Sequence, residues 1–358
     1  MDLHVNPNAF VCIMAGGSGE RFWPMSRRRT PKHLLKLFSD RTLVEDTVRR
    51  LDGVVPRENI FVLTNEAQLA GTRAALPFLA ADQIVAEPAK RDTAPAAALA
   101  TGLVRARHPE GVLALLPADA LIKNHARLAE QLSAALARAA ANAALLTFAI
   151  KPAFASTGFG YLEMGEILPH APGTGVCRRV TRFVEKPDAV TAERYVASGD
   201  YAWNAGMFIW QVGTFLAEAT RQAPELAAFI REFPAGDPTS YLAERFPALP
   251  KISVDYAIME KAARVETILA DYDWDDVGTW TALAAHFPAD AEGNTIRGSV
   301  ATVNARHNIA IGGHGRTIAL VGVNDLVVVE TPDAILVCHR DAVQDIKQLM
   351  PKLPKEVL

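Results

Sequence analysis

Few cysteines, no long apolar run and no excess of basic residues are the first features of this sequence. Cys12, Cys177 and Cys338 are the three cysteines among 358 residues, and their odd number and wide spacing fit a reduced compartment better than a disulfide framework. No apolar stretch reaches the roughly 18 residues that a membrane span requires. The polar N-terminus also lacks the pattern of a signal peptide. We therefore expect a soluble, cytoplasmic protein without a membrane partner.

The charge balance and the missing motifs exclude further classes. The formal net charge is −3, whereas nucleic-acid-binding domains are usually basic. Only the three arginines at 27–29 favour a nucleic-acid partner, and we therefore expect none. No Cys/His cluster has the spacing of a zinc site. A Walker A string is absent, and Phe22 stands where the dinucleotide fingerprint needs its third glycine.

Residues 15–26 nevertheless have the composition of a phosphate-binding loop. They follow the apolar run 10–14, which predicts a first β-strand. The loop residues proposed to bind the nucleotide are Gly16, Gly17, Ser18 and Gly19. Glycines leave backbone amides uncovered, so a polyphosphate can approach the chain closely. A tight turn would have the same composition, but Arg21 and Lys32 add the positive charge that a nucleotide needs.

The order of apolar segments predicts an α/β fold. Short β-branched runs alternate with helical patterns such as 42–52 and 124–141, the latter with Asn124 as N-cap. The predicted strands are 9–14, 59–64, 83–87, 112–116 and 144–150. This alternation indicates a Rossmann-like, mainly parallel sheet with helices on both faces, in which ligands bind outside the carboxyl ends of the strands.

The second half of the chain changes character twice. From 157 to 212 extended pieces surround a helix at 188–199 and a strand at 205–210, which we interpret as a substrate-facing region. The short strands predicted after residue 288 are 295–303, 307–311, 317–321, 326–330 and 334–338, and a final helix is predicted at 340–352. We expect a catalytic domain at 1–288 and a C-terminal β domain at 289–358, with a left-handed β-helix as one candidate form.

Eight motifs occur in an order that resembles one family. They are GGSGERFWP (16–24), PKH (31–33), EP (87–88), RDTAP (91–95), LPAD (116–119), FVEKP (183–187), WNAGMF (203–208) and WDDVG (274–278). Together with the tail 321–329 they resemble the mannose-1-phosphate guanylyltransferases of the sugar nucleotidyltransferase superfamily, over essentially the whole chain. The resemblance implies transfer of GMP from GTP to mannose 1-phosphate, in a short form without the isomerase domain of longer relatives.

Two aspartates are the predicted metal ligands. The resemblance places Asp119 and Asp276 on Mg²⁺, which takes one or two carboxylates plus phosphate oxygens and water. A turn or helix cap is the alternative for Asp119, and a solvated acidic loop is the alternative for Asp276. An EF-hand is excluded, because Asp276 occupies the glycine position and Ala282 stands where the bidentate glutamate belongs.

The nucleotide side of the predicted site combines charge neutralisation with base selection. Arg21 and Lys32 are expected to neutralise the triphosphate and help pyrophosphate to leave. Guanine presents N1–H and an amino group on one edge, and the carboxylate of Glu87 can accept from both, whereas adenine lacks that pair of donors. Asp92 and Thr93 are assigned to the same subsite. A glutamate that merely ends a strand before proline remains the alternative for Glu87.

The sugar-phosphate side is predicted from the later motifs. Lys186 can hold the phosphate as a point charge, and Glu185 can accept hydrogen bonds from sugar hydroxyls, although Glu-Lys-Pro could equally be a surface turn. By resemblance Asn204 faces the mannose, and Gly160 and Glu163 line the same pocket.

Two departures from the family pattern bear on specificity. Ala120 replaces a histidine after Leu-Pro-x-Asp, and Asp92 replaces an asparagine, so nucleotide preference and rate are open. Another sugar 1-phosphate, such as glucose or heptose 1-phosphate, another nucleotide, and a non-catalytic regulatory member are the remaining alternatives. We expect the β-rich tail to serve packing or self-association and the protein to form a homodimer.

Overall fold

The computed structural model describes residues 6–171, 173–313 and 315–358, and a nine-stranded sheet dominates its first part. The strands of this sheet are β1 (Ala9–Met14), β2 (Ile60–Asn65), β3 (Ile84–Glu87), β4 (Val112–Pro117), β5 (Leu145–Ile150), β6 (Tyr161–Ile167), β7 (Cys177–Val184), β8 (Tyr201–Gln211) and β9 (Val265–Leu269). The helices are α1 (Leu43–Arg49), α2 (Glu66–Ala75), α3 (Thr93–Arg107), α4 (His125–Ala141), α5 (Ala189–Ser198), α6 (Val212–Gln222), α7 (Pro224–Arg231), α8 (Thr239–Arg245), α9 (Val254–Ala257) and α10 (Trp280–Ala284).

The first four strands form the parallel half of the sheet. They lie in the order β3-β2-β1-β4, and each neighbouring pair is parallel. These strands and β5 coincide with the five predicted strands to within one residue at each end. The predicted Rossmann-like α/β class is therefore confirmed, because alternating strands and helices produce parallel neighbours through crossover connections.

The other half of the sheet is largely antiparallel, so the sheet as a whole is mixed. The long strand β8 runs antiparallel to β4, β5 and β6, and β7 is antiparallel to β6 and β9. Only β5 and β9 form a parallel pair there. Antiparallel neighbours need no crossover helix. Between β6 and β8 the described residues accordingly form one helix, α5, which matches the helix predicted at 188–199.

Side chains of β1 alternate between two cores, one on each face of the sheet. Val11 and Ile13 pack in the cluster that contains side chains of α1 and α4, whereas Phe10 and Cys12 pack in the cluster of α3, α6 and α7. The N-cap predicted for α4 is confirmed, since the Asn124 side chain accepts a hydrogen bond from the Arg127 amide at 3.1 Å. Helices therefore cover both faces and leave the strand ends for the site.

Short parallel strands stack into coils in the C-terminal region. The elements are β10 (Thr295–Arg297), β11 (Val300–Val303), β12 (Ile309–Ile311), β13 (Ile318–Val321), β14 (Leu326–Glu330), β15 (Ile335–His339) and α11 (Ile346–Leu349). β10, β12 and β14 pair in parallel, as do β11 and β13. Asn308 donates to the buried Asn294 side chain at 3.0 Å, which links successive coils. The arrangement confirms a β-helix-like domain.

The prediction of one continuous helix at 340–352 was wrong. Arg340–Asp345 is a 3-10 segment, α11 has four residues, and Met350–Lys352 is again a 3-10 turn. Pro351 explains the end of α11, because proline lacks the backbone amide that would continue the α-helical hydrogen bonds. Met350 itself keeps helical dihedral angles and begins the following 3-10 turn. The segment therefore consists of short turns instead of one helix.

The C-terminal region packs directly on the Gly-rich loop. Phe22 and Trp280 are buried in one apolar cluster with Val329 and Ile346, and Trp23 Nε1 donates to the Val357 carbonyl at 2.8 Å. Loop and tail therefore share one core. Over the described ranges, every helix is too short or too polar to cross a lipid bilayer.

Candidate active site

Three of the predicted site segments meet at one edge of the sheet. The Gly-rich loop follows β1, Glu87 is the last residue of β3, and Asp119 lies two residues beyond the end of β4. Because these strands run parallel, their carboxyl ends point to the same edge. The sheet topology thus brings together residues that are distant in the chain.

Gly19 sets the shape of the loop. Its φ of 62° lies in the left-handed region, and a Cβ there would come within 2.5 Å of the Lys32 Cβ. The Ser26 hydroxyl also donates to the Gly19 carbonyl at 2.7 Å. Only glycine fits this position, and its lack of a side chain lets Lys32 lie directly against the loop.

Lys32 connects the two predicted metal ligands. It is buried, with 6% of its surface exposed, its ammonium group donates to the Asp276 carbonyl, and it forms an ion pair with Asp119 at 3.0 Å. Residues 32, 119 and 276 therefore meet around one buried cation, although 244 positions separate Lys32 from Asp276.

A close approach at Gly278 completes this cluster. Arg21 Nη1 donates to the Gly278 carbonyl at 2.9 Å. A Cβ at residue 278 would lie 2.7 Å from an Asp276 carboxylate oxygen and 3.0 Å from Arg21 Nη1. Gly278 is thus a site residue that our sequence reasoning did not single out, although the WDDVG motif contains it.

Burial raises the pKa of Asp276 to about 6, against the opposing effect of Lys32, and Asp275 and Asp119 raise it further. The next residue, Val277, has a φ of 46°, which is strained for a β-branched residue. Its amide donates to Asp275 at 2.7 Å, and Asp275 in turn contacts His286 at 2.8 Å. These contacts hold the strained turn and with it the position of the Asp276 carboxylate.

The donor set at Asp119 and Asp276 fits a divalent metal that also binds phosphate. No group of three or more His, Cys, Asp or Glu side chains suited to a metal exists within the described ranges. Mg²⁺ does not need one, since it is commonly held by one or two carboxylates together with substrate phosphates. Burial raises the pKa of Asp276, and a cation bound beside it would stabilise the ionised form.

The two departures from the family pattern have structural roles. Asp92 accepts a hydrogen bond from the Thr93 amide at 2.7 Å and caps α3, with a φ of 72°. Thr93 Oγ1 accepts from the Val254 amide at 2.9 Å. Ala120 is buried, and its carbonyl accepts two hydrogen bonds from Arg50 at 3.1 Å each. The small side chain of Ala120 packs in the interior instead of reaching the site.

Glu87 lies beside the first glycine of the loop. A Cβ on Gly16 would be 3.8 Å from a Glu87 carboxylate oxygen, whereas a Cβ on Gly17 would meet no atom within 4 Å. Burial, and then the negative charge of Asp92, raise the pKa of Glu87 to about 8. A carboxyl group held in this way favours a ligand that donates hydrogen bonds to it, because such donors stabilise its ionised form.

A cavity of about 370 Å³ lies over the loop. Its walls include Ser18, Gly19, Arg21, Lys32, Asp119, Asp276, and also Lys90 and Lys347, which sequence reasoning missed. A neighbouring cavity of about 680 Å³, bordered by residues 153–159 and Trp203, shares Arg21, Asp276 and Gly278 with the first. Arg21 and Asp276 therefore stand between two spaces that could hold different substrates.

The predicted sugar-phosphate residues form a second polar cluster. The Asn204 amide donates to the Gly160 carbonyl at 2.8 Å, and a Cβ on Gly160 would lie 2.5 Å from a Glu185 carboxylate oxygen. Glu185 forms an ion pair with Lys186. Gly160 thus permits the close approach of Glu185 to Asn204.

Glu163 lies outside this cluster. It is three residues along β6 from Gly160 and forms an ion pair with Arg182 at 3.3 Å. Its predicted role in sugar binding stays a prediction.

Asp255 is a further polar residue that the sequence did not indicate. It accepts a hydrogen bond from the Asn204 side-chain amide at 2.9 Å, while the Asn204 oxygen accepts from Thr147 at 2.9 Å. Burial and then the charge of Glu185 raise the pKa of Asp255 to about 6. As an acid near the start of the short helix α9, it looked in sequence like an ordinary first-turn residue.

The site combines uncovered backbone amides in the loop, clustered cations and a pair of carboxylates, and a second polar cluster lies beside them. This arrangement suits the joining of two phosphorylated substrates, as in nucleotidyltransferases. Comparison with known proteins agrees. A family model described as nucleotidyl transferase matches residues 11–293, and one described as a MannoseP isomerase/GMP-like beta-helix domain matches residues 298–353.

Comparison with individual proteins identifies the family more narrowly than the two family models do. The chain is 38% identical to the mannose-1-phosphate guanylyltransferase ManC of Salmonella typhimurium, over 96% of this chain and 73% of that protein. It is 35% identical to the alginate biosynthesis protein AlgA of Pseudomonas aeruginosa, over 95% and 71%. A Thermus thermophilus crystal structure, described as a mannose-1-phosphate geranyltransferase, matches with a TM-score of 0.85 and 32% identity over 96% and 99%. The chain belongs to the mannose-1-phosphate guanylyltransferase family.

Proposed function

We propose that this protein transfers GMP from GTP to α-D-mannose 1-phosphate, giving GDP-mannose and pyrophosphate. A phosphate oxygen of the sugar attacks the α-phosphorus, and the bond from that phosphorus to the bridging oxygen of the β-phosphate breaks. The nucleophile is a phosphate monoester with a second pKa of about 6, so it is mostly ionised at neutral pH and needs no general base. The difficulty is to bring two polyanions together, and catalysis therefore rests on positioning and charge neutralisation.

The observation that carries this proposal is the meeting of Lys32, Asp119 and Asp276 beside the Gly-rich loop. Arg21, Lys32 and the amides of 16–19 neutralise the triphosphate, with Glu87, Asp92 and Thr93 on the nucleoside side. Nucleotidyltransferases generally use a divalent metal, and we propose that Asp119 and Asp276 hold Mg²⁺. When bound there, the ion would neutralise phosphate charge between the two substrates.

Pyrophosphate release from purified protein tests the proposal. The four common nucleoside triphosphates are combined with mannose, glucose or heptose 1-phosphate in the presence of Mg²⁺. A maximum for GTP with mannose 1-phosphate is expected. A maximum for another pair would keep the reaction and overturn the proposed substrates, whereas binding of nucleotide without any release would favour a regulatory role.

The sugar-phosphate subsite predicts a selective effect at Asp255. Replacing Asp255 with alanine removes the acceptor that orients the Asn204 amide, so the KM for mannose 1-phosphate should rise about tenfold. The KM for GTP should not change, because Asp255 lies in the cluster around Asn204 and not in the cavity over the loop. Steady-state kinetics with each substrate varied in turn measure both values. An equal rise in both would contradict a role confined to the sugar phosphate.

We also propose a catalytic domain at 1–288, a β domain at 289–358 and a homodimer formed through the β domain. Val303 and Val321 are paired neighbours on β11 and β13 and are 58% and 67% exposed. Ile335 and Val337 are more than half exposed on β15, an edge strand. Exposed apolar pairs next to a strand edge suit self-association. Light scattering should give the mass of a dimer, and Val321→Lys should shift it toward the monomer.

A further inference from the structure

We propose that Lys347, from the C-terminal region, contacts the β- and γ-phosphates of the bound triphosphate and the pyrophosphate that departs. The inference rests on the proposed function and adds a binding residue to it. Lys347 lies outside the eight motifs, and the structure places it at an exposed position of the C-terminal segment.

The position of Lys347 is set by its buried neighbours. α11 packs against the 3-10 turn Glu20–Phe22 that follows the loop glycines. Ile346 is 3% exposed and shares an apolar cluster with Phe22. The next residue, Lys347, borders the 370 Å³ cavity together with Arg21. The backbone that carries Lys347 is therefore held against the loop by a shared core.

The residues that line this cavity indicate which part of the nucleotide can occupy it. Glu87, the proposed base-selecting residue, does not border it, and neither do Glu185 and Asn204 of the sugar cluster. Ser18, Gly19 and Arg21 of the loop do. The part of GTP that enters the cavity is therefore its phosphate tail, and Lys347 borders the same space.

The charges around Lys347 also fit a polyanion. Four cationic side chains border the cavity, namely Arg21, Lys32, Lys90 and Lys347. Lys32 is already paired with Asp119, whereas Lys347 makes no ion pair with an acidic side chain of the described ranges. Burial and then the positive charge of Arg21 lower the pKa of Lys347, with Glu20 opposing them. Three carboxylates, those of Glu20, Asp119 and Asp276, also border the cavity. The four cations therefore exceed the acids by one formal charge, which favours a triphosphate or pyrophosphate.

The C-terminal region would on this basis complete the active site in addition to packing against it. Its segment 340–349 also supplies Gln344 to the neighbouring cavity. Because α11 and the loop share a core, binding of pyrophosphate and the position of the β domain are expected to be coupled.

Calorimetric binding to the full-length chain with Mg²⁺ tests the inference, with GTP, GMP and inorganic pyrophosphate as ligands. Lys347→Gln should weaken binding of GTP and pyrophosphate about tenfold, because one charge-assisted contact is lost. Binding of GMP, which lacks the β- and γ-phosphates, should stay within about twofold of the unmodified protein by the same reasoning. Lys347→Arg should largely restore binding. Lys352→Gln removes the same charge from an exposed position in the same segment and should change none of the three values.

The outcomes separate this inference from the proposed function. If the unmodified protein binds neither GTP nor pyrophosphate, the proposed function itself is wrong. If it binds both and Lys347→Gln binds them equally well, only the inference is overturned. An equal loss of GMP and GTP affinity would also overturn it, because the effect would then not depend on the β- and γ-phosphates. Thermal unfolding of each variant verifies that the fold is retained.

Discussion

Replacing Asp276 with asparagine should lower turnover by roughly 10²–10³-fold, the range typical for loss of one group that stabilises transition-state charge. Asp276 borders both cavities and lies beside Lys32 and Arg21. In the proposed reaction the two phosphates come together at this position. Asparagine keeps the size and removes the charge that a metal needs. Pyrophosphate release at saturating substrates measures the effect.

The same substitution should not destabilise the fold. Burial raises the pKa of Asp276 from 3.8 to about 6 in the folded chain. A carboxyl group whose pKa is higher in the folded state binds more protons there, so its contribution to stability decreases as the pH rises through that range. At pH 7.5 the buried charge is unfavourable, and Asp276→Asn should unfold at the same or a higher temperature than the unmodified chain in metal-free buffer. The difference should shrink toward pH 4.

Asp273→Asn is the matched control in the same acidic segment. The two oxygens of Asp273 accept hydrogen bonds from the amides of Lys123 and Asn124 at 2.8 and 2.7 Å, next to the start of α4. Its loss should lower the unfolding temperature and leave turnover within a few-fold of normal. Near-normal turnover of Asp276→Asn, or the same loss of turnover in both variants, would remove Asp276 from the proposed metal site.

Local patterns predicted the features of the fold that depend on neighbouring residues. The strand boundaries of the parallel half and the cap of α4 at Asn124 both follow from short sequence patterns. The prediction of a phosphate loop has the same basis, since its glycines and the nearby cations lie within twenty residues of one another.

Features that depend on distant contacts were not predictable in this way. The antiparallel half of the sheet requires β8 to lie between β4 and β5, which no local pattern states. Asp255 acquires its role through Asn204, 51 positions away. Lys347 acquires its position through the burial of Ile346 against Phe22. In each case the residue type is ordinary, and only the packing of separate segments brings it to the position where we propose a role.

Glu87→Gln should reduce the preference for GTP over ATP by about a hundredfold or more, since a site that accepts hydrogen bonds from a substrate strongly rejects analogues that lack them. The carboxylate can accept from both N1–H and the amino group of guanine. Glutamine offers one acceptor and one donor, so one of those contacts becomes repulsive. The ratio of kcat/KM for GTP and ATP measures the change, and an unchanged ratio would mean that Glu87 only ends β3.

The pH dependence of GTP binding tests the same residue independently of turnover. Because burial and Asp92 raise the pKa of Glu87 to about 8, the free protein holds a proton there at neutral pH. Guanine needs the ionised form, so binding must release that proton, and affinity should rise by up to about tenfold per pH unit from pH 6 until it levels off near pH 8. Glu87→Gln removes this dependence while keeping the titration of the γ-phosphate. The difference between the two profiles therefore isolates the carboxyl group, and identical profiles would exclude Glu87 as the group that contacts guanine.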